Sequence, residues 1–357
     1  MNNGRYSNMK KLTLGACLAA FGLIGAMATN SLAADKPISG NLRIVIGSKS
    51  TGGDTYQNSS IVAEALAKKL DMNVKVDAVG ASAAFKALSR ISNGSTIMIF
   101  HDQSYLGYLY GVKGYDNIFE DYTVGPTVAI NPGNAYLVPK NSPYKTMEDV
   151  IQAAANGTKI RVAIQPGGVS EIGFSALKNA VGIRYPGKED NIVAVNTGSQ
   201  ADKNQLLFDG QADVINGSVQ ANEQYTRLPA DDQKAMRFVW LTARQKTIQQ
   251  ANPEGFGKTS REDLLEYVSP KVSVTQDGTK NFTFDKEFFF LYNKKMDPEI
   301  VAYLDQALTE IFEEGTIETT QKASFFIPNF LPSSVSKDYL QNKMEQYKKI
   351  IAAIHKE

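Results

Sequence analysis

The chain of 357 residues is 43% hydrophobic and 21% charged, the balance of an ordinary globular protein long enough to bury two cores. Its 38 Lys and Arg stand against 37 Asp and Glu, so no net field recruits nucleic acid or an anionic membrane. One cysteine and two histidines exclude a disulfide framework and leave too few ligands for a transition metal, so neither cofactor nor metal is expected.

Residues 1–33 read as a secretory signal peptide. Lys10-Lys11 precede an apolar run from Leu12 to Met27, and Ser31-Leu32-Ala33 make a small-residue exit. The run is shorter than the roughly 20 apolar residues of a membrane span. Export to the periplasm with cleavage near Ala33 is the expectation, and Met1 and Met9 both fit as the start. Cys17 has most of the apolar run behind it, which argues against a lipid anchor, and its removal leaves the mature chain without cysteine.

Leu42 to Ile46 is an apolar strand, and the Ser, Thr and Gly loop Gly47 to Thr55 empties into a helix with Ile61, Val62, Ala65, Leu66 and Leu70 on one face. A strand over Val74 to Ala78, a helix over Ala81 to Ile91 and a strand over Thr96 to Phe100 follow. Right-handed crossovers make these strands parallel. The grammar restarts at the strand Ala135 to Val138. Thr146 and Asp149 form a capping box, and Gly157 is a stop. The strand Ile160 to Ile164 runs into Gln165-Pro166-Gly167-Gly168-Val169-Ser170, then a helix through Phe174, Leu177 and Val181 expected to end at Gly182. The strand Ile192 to Val195, a helix around Gln205 to Phe208 and the strand Ala212 to Ile215 close a second α/β unit. Arg244 to Thr283 is polar and broken by Pro253, Gly255 and Gly257, an irregular insertion without a periodic pattern. The last helix carries Leu340, Met344, Tyr347, Ile351 and Ile354 as a stripe that needs a surface to cover. Two lobes are expected, one from residues 34–130 and 240–357, the other from 131–239.

In an open parallel sheet, ligands bind beyond the carboxyl ends of the strands, where a loop enters the next helix with unpaired amides pointing outward. Both glycine loops stand there. Their free N–H groups and the positive helix ends are expected to grip an anion with no lysine or arginine nearby. Ser48, Ser50, Thr51, Gly52, Gly53, Asp54 and Thr55 are the candidates in the first lobe, with Tyr56 placed to close over a ligand. Gly167, Gly168, Val169 and Ser170 are those of the second. Thr197 and Gly198, after the strand Ile192 to Val195, make a third such turn. Set against this, a loop glycine often does no more than supply a turn. His101, directly after the third strand, can reach a ligand or serve as a structural histidine.

No G-x-G-x-x-G and no Walker lysine are present, and Gly52-Gly53-Asp54 sets a negative charge where a phosphate would lie. Gly168 to Gly173 is one residue too long for G-x-S-x-G, and His101 and His355 are the only histidines. No enzyme is expected.

Three motifs carry a resemblance. They are Thr51-Gly52-Gly53 after the first strand, Gly210-Gln211-Ala212-Asp213-Val214 after a Leu206-Leu207 helix, and Asp297-Pro298-Glu299-Ile300-Val301 followed by Leu304, Ala307 and Leu308. In this order, behind a signal peptide, the chain resembles the periplasmic substrate-binding receptors of the tripartite tricarboxylate transporter family, the Bug/TctC-like proteins. The resemblance implies a type II periplasmic-binding-protein fold, α/β, with two Rossmann-like lobes joined by crossing strands. It implies a monomeric solute receptor that holds a small mono-, di- or tricarboxylate between the two glycine loops and passes it to a membrane permease. Delivery to a membrane sensor kinase is an alternative, as is a TRAP-associated receptor of the TAXI type. Tyr56 stands where the family has an aspartate, and the histidine that often opens its second-lobe helix is absent near Glu171. The sequence therefore leaves the ligand's identity open.

Overall fold

The computed structural model describes residues 36–354; the expected signal peptide, Cys17 and His355 lie outside the described residues. The first strands are β1 Asn41–Ile46, β2 Asn73–Ala78 and β3 Thr96–His101, separated by α1 Asp54–Leu70 and α2 Ala81–Arg90. After α3 Gln103–Leu109 and α4 Ile118–Asp121 the long β4 Tyr122–Asn131 leads across to β5 Ala135–Pro139. Then come α5 Met147–Ala155, β6 Ile160–Ile164, α6 Val169–Arg184, β7 Ile192–Asn196, α7 Gln200–Phe208, β8 Val214–Gly217, α8 Val219–Thr226 and β9 Met236–Leu241. The chain returns through α9 Gln245–Ile248 and α10 Arg261–Leu265 to β10 Lys286–Asn293. It finishes with α11 Pro298–Glu313, α12 Thr316–Ala323, β11 Ile327–Leu331 and α13 Ser333–Ile354.

Two sheets result, ordered β11-β4-β10-β3-β1-β2 and β7-β6-β8-β5-β9. Within each, the strands of the βαβ units pair in parallel, β1 with β2 and β3, β6 with β7 and β8. The strands that cross between sheets pair antiparallel: β10 with β3 and β4, β5 with β8 and β9. This is the expected two-lobed arrangement with crossing strands. β10 is buried along its whole length, including Phe288, Phe289 and Phe290, because it lies in the middle of the first sheet with both faces covered. The Thr146–Asp149 capping box forms as expected. In contrast, α6 runs past Gly182 to Arg184, since a glycine followed by good helix formers weakens a helix without ending it.

The boundary expected at 239 moves. Trp240 and Leu241 belong to the second sheet, and the residues after them stay with it. Ile248, Ala251, Leu264 and Val268 share a core with Leu137, Phe238 and Leu241, and Leu241 N–H donates to Tyr267 O at 2.7 Å. The polar stretch therefore covers the open edge of β9 with apolar residues too scattered to show a period. The chain rejoins the first sheet at Asp285-Lys286-Glu287, three consecutive charges that are all buried. Asp285 Oδ2 accepts from Arg244 Nε at 2.6 Å, Lys286 pairs with Asp54 at 2.5 Å, and Glu287 accepts from Asn329 Nδ2 and Tyr339 OH at 2.6 and 2.8 Å.

The stripe on α13 lies down as expected at Leu340, Met344 and Tyr347, which are buried, with the Tyr347 ring centroid 5.2 Å from that of Phe284. Lys343 on the same helix pairs with Asp102 at 2.6 Å and donates to Asp285 O at 2.9 Å. Burial pushes the Glu287 carboxyl up to about 7, against the pull of Lys343. A carboxyl raised from 4.5 keeps its proton in the folded state after the unfolded chain has lost it. Stability from this group is thus present below about pH 4.5 and is lost as pH rises through about 7. Urea midpoints taken across that range are expected to fall with pH in the wild type, and Glu287→Gln is expected to flatten the slope.

Candidate functional site

Hydroxyl groups fold the first glycine loop onto itself. Ser48 Oγ accepts from Ser50 N–H at 3.0 Å, and Ser50 Oγ from Gly52 N–H at 3.2 Å. Gly53 enters α1 in extended backbone, and Asp54 and Thr55 turn inward, with Thr55 N–H bonded to Asp54 Oδ1 at 2.9 Å. Thr51, Gly52 and Tyr56 do not join them. These three border an open groove of about 410 Å³ shared with Gln57, Glu64 and Ser324.

The second glycine loop is gripped from the other lobe. Gln103, the first residue of α3, donates from Nε2 to Gly167 O at 2.5 Å and accepts at Oε1 from Val169 N–H at 3.0 Å. A Cβ on Gly168 would stand 1.9 Å from that Oε1, so a side chain here would displace the Gln103 amide from its place across the crevice. Gly167 N–H is taken by the Glu171 carboxylate. Ser170 Oγ accepts from Gln165 N–H at 3.0 Å and donates to Asn216 Oδ1 at 2.6 Å. Asn216, on β8, spends its amide on Ser170 O and Tyr136 OH at 2.9 and 3.2 Å.

Five of the amides expected to face a ligand, those of Ser50, Gly52, Thr55, Gly167 and Val169, are therefore occupied by side chains of the protein. Those of Gly53 and Asp54 at the start of α1, and of Gly168 and Ser170 at the start of α6, have no hydrogen-bond partner among the described residues. Asp54 and Ser170 are buried, where an unpaired donor is unfavourable until something accepts from it. The third turn stands apart, because Thr197 N–H and Oγ1 both donate to Ile164 O, at 2.8 and 3.1 Å, and Gly198 is exposed.

Between the two helix starts lies a buried polar cluster that the loops alone did not announce. Asp54 Oδ2 receives Lys286 Nζ and Asn131 Nδ2, each at 2.5 Å. Burial pushes this carboxyl up, but the Lys286 ammonium and the two hydrogen bonds outweigh it and hold the group down at about 2. His101 is buried against Phe100 and Phe288, and its Nδ1 accepts from Gln103 N–H at 3.2 Å. Burial first, and the Lys286 charge second, hold its pKa well below the usual range, so the ring is neutral. From the second lobe, Gln220 Nε2 reaches Asn131 Oδ1 at 3.3 Å, and Lys203 Nζ reaches Asn216 Oδ1 at 3.1 Å. The expectation of a site with no lysine is thus corrected. Two lysines arrive from elsewhere in the chain, Lys286 at the start of β10 and Lys203 in α7. Lys203 gave no signal in the sequence, standing among polar residues of a helix capped by Ser199.

No family profile matches the sequence, and no curated protein does. Solved structures are similar over nearly their whole length. The periplasmic binding protein BugD is 15% identical with a TM-score of 0.65, covering 89% of this chain and 98% of that one. A Rhodopseudomonas palustris protein solved with adipate is 14% identical with a TM-score of 0.69, covering 88% and 97%. MatC from the same organism, with bound malate, is 16% identical with a TM-score of 0.62, covering 87% and 99%. At such identities the likeness fixes the fold. The chain has the two-lobed periplasmic-binding-protein fold in the form these proteins take.

The Asp54–Lys286 pair is buried between α1 and β10, and Asp54→Asn leaves the ammonium without a counter-charge at a cost of about 3–5 kcal/mol. Because the folded carboxyl is depressed from 3.8 to about 2, its contribution is present above about pH 4 and lost as pH falls through about 2. Urea unfolding is expected to show both the loss at neutral pH and a shallower acid limb in the variant.

Proposed function

We propose that the protein is an exported periplasmic receptor that closes its two lobes over a small organic carboxylate and delivers it, as a monomer and without catalysis, to a membrane permease of the tripartite tricarboxylate type. One observation carries this reading: the starts of α1 and α6, one from each lobe, flank a buried polar cluster and both keep unpaired amides beside it. Helix starts with free amides favour an anion, and a carboxylate has the acceptors to engage both. The direct contacts of Gln103 and Gln220 across the crevice support a closed form that buries its ligand at the hinge. The structural relatives with malate and adipate place such a ligand class on this fold. Among the described residues, no helix is long and apolar enough to cross a membrane.

Thermal unfolding against a panel of carboxylates, sugars and amines tests the reading. A carboxylate at about a hundred times its Kd is expected to stabilise the protein by about 2.7 kcal/mol. Gly168→Val crowds the Gln103 amide and the free N–H at the start of α6 and is expected to abolish the response. A shift by a sugar or an amine with none from any carboxylate overturns the assignment.

A further inference from the structure

The crevice cluster carries a charge that its own residues leave unmatched. The charged and titratable groups that meet there are Asp54 from α1, His101 from β3, Lys286 from β10 and Lys203 from α7, with Lys343 of α13 behind His101. Lys343 is spoken for by Asp102 and Glu287. His101 is neutral, and Asp54 is committed to Lys286. Two ammonium groups against one carboxylate leave one positive charge, and it sits on Lys203.

That side chain is 4% exposed, yet its only hydrogen bond among the described residues is to Asn216 Oδ1, a neutral acceptor already shared with Ser170. A buried ammonium is stable only when its protons are taken up by acceptors and its charge is balanced, and here both conditions are half met. A lysine kept only to fill space in a core would serve better as methionine. The position is also telling: through Asn216, Lys203 is joined to Ser170 at the start of α6, and from the opposite side it feels Lys286 and Asp54 of the first lobe.

We propose that Lys203 is the counter-ion of the solute: an ionised carboxylate taken into the crevice pairs with its ammonium beside the Ser170 end of α6. This deepens the receptor reading and rests on it. It also sets the ligand's charge in the crevice, since one carboxylate brings the cluster to neutrality, while a second would meet Asp54 with no cation left to it. The site therefore takes a monocarboxylate, or a longer acid whose other carboxylate stays at the solvent edge. Binding is further coupled to a proton. Burial, followed by the Lys286 charge, pushes the free lysine down to about 7, and an arriving carboxylate raises it again. Below pH 7 the charge is already in place; above it, each ligand must bring a proton, and affinity falls by up to about tenfold per pH unit.

The test begins with wild-type protein and a panel of aliphatic and aromatic mono-, di- and tricarboxylates that includes adipate, malate and hexanoate. The member giving the largest thermal shift goes to calorimetric titration at pH 6 and pH 8.5, in buffers of different ionisation enthalpy. Uptake of close to one proton at pH 8.5 and little at pH 6 is expected. Lys203→Met is expected to bind the same acid about a hundredfold more weakly at pH 6, with no proton uptake at either pH, while its unliganded melting temperature rises because a buried charge is gone. Absence of proton uptake by the wild type at pH 8.5 overturns the coupling to a proton without recourse to any variant. A Lys203→Met protein that matches the wild type in affinity at pH 6 overturns the counter-ion itself, and in both of those cases the receptor reading survives. If no carboxylate shifts the wild type at all, the receptor reading fails and takes this inference with it.

Discussion

Three charges in a row, Asp285, Lys286 and Glu287, are buried where the chain passes from the second sheet back to the first, and the architecture turns on how they are neutralised. A charge removed from water must find a partner at close range, or it unfolds its surroundings. Each finds a different one. Asp285 holds Arg244 and thereby the long connector after β9, Lys286 holds Asp54 and thereby the start of α1, and Glu287 holds Tyr339 and Asn329 next to the Lys343–Asp102 pair. The alternation of side chains along a strand sends neighbours to opposite faces, so one tripeptide ties elements on both sides of the sheet.

The crevice inherits its chemistry from this arrangement. Because Lys286 is consumed by Asp54, the first lobe presents a satisfied ion pair, and the unmatched positive charge lies on the second lobe at Lys203. The hydroxyl groups of Ser48 and Ser50 are turned to organising their own loop, as is the carboxylate of Glu171 in the other. What the two helix starts leave unpaired is small: a few amides, with the Lys203 ammonium that we propose as counter-ion beside them. Gln103 and Gln220 then supply the direct contacts by which one lobe recognises the other.

Local features of the fold were legible in the sequence, and long-range ones were not. The Thr146–Asp149 box, the glycine loops and the Asp297-Pro298 helix start each depend on residues within a few positions of one another, and each forms where the sequence places it. β4 and β10 pair across more than 150 residues of sequence, Lys286 with Asn131 at one end, and no short-range pattern signals that. Lys203 belongs to the same class. As one polar residue in Gln200-Ala201-Asp202-Lys203-Asn204 it reads as surface, and only the packing of α7 on β8, β6 and β5 buries it. Thr197 shows the converse, a residue whose type and place suggested a ligand contact but whose hydrogens are spent on the backbone of β6.

The connector between β9 and β10 also shields one end of the second sheet. With Tyr267 bonded to Leu241 and apolar residues of the connector packed in the same core as β9, that end of the second sheet is partly covered. The other end, β7, is a mere five residues long and shows Val193 to solvent, too short a template to recruit another strand. The routing of the backbone thus works against edge-to-edge pairing at both ends of the second sheet.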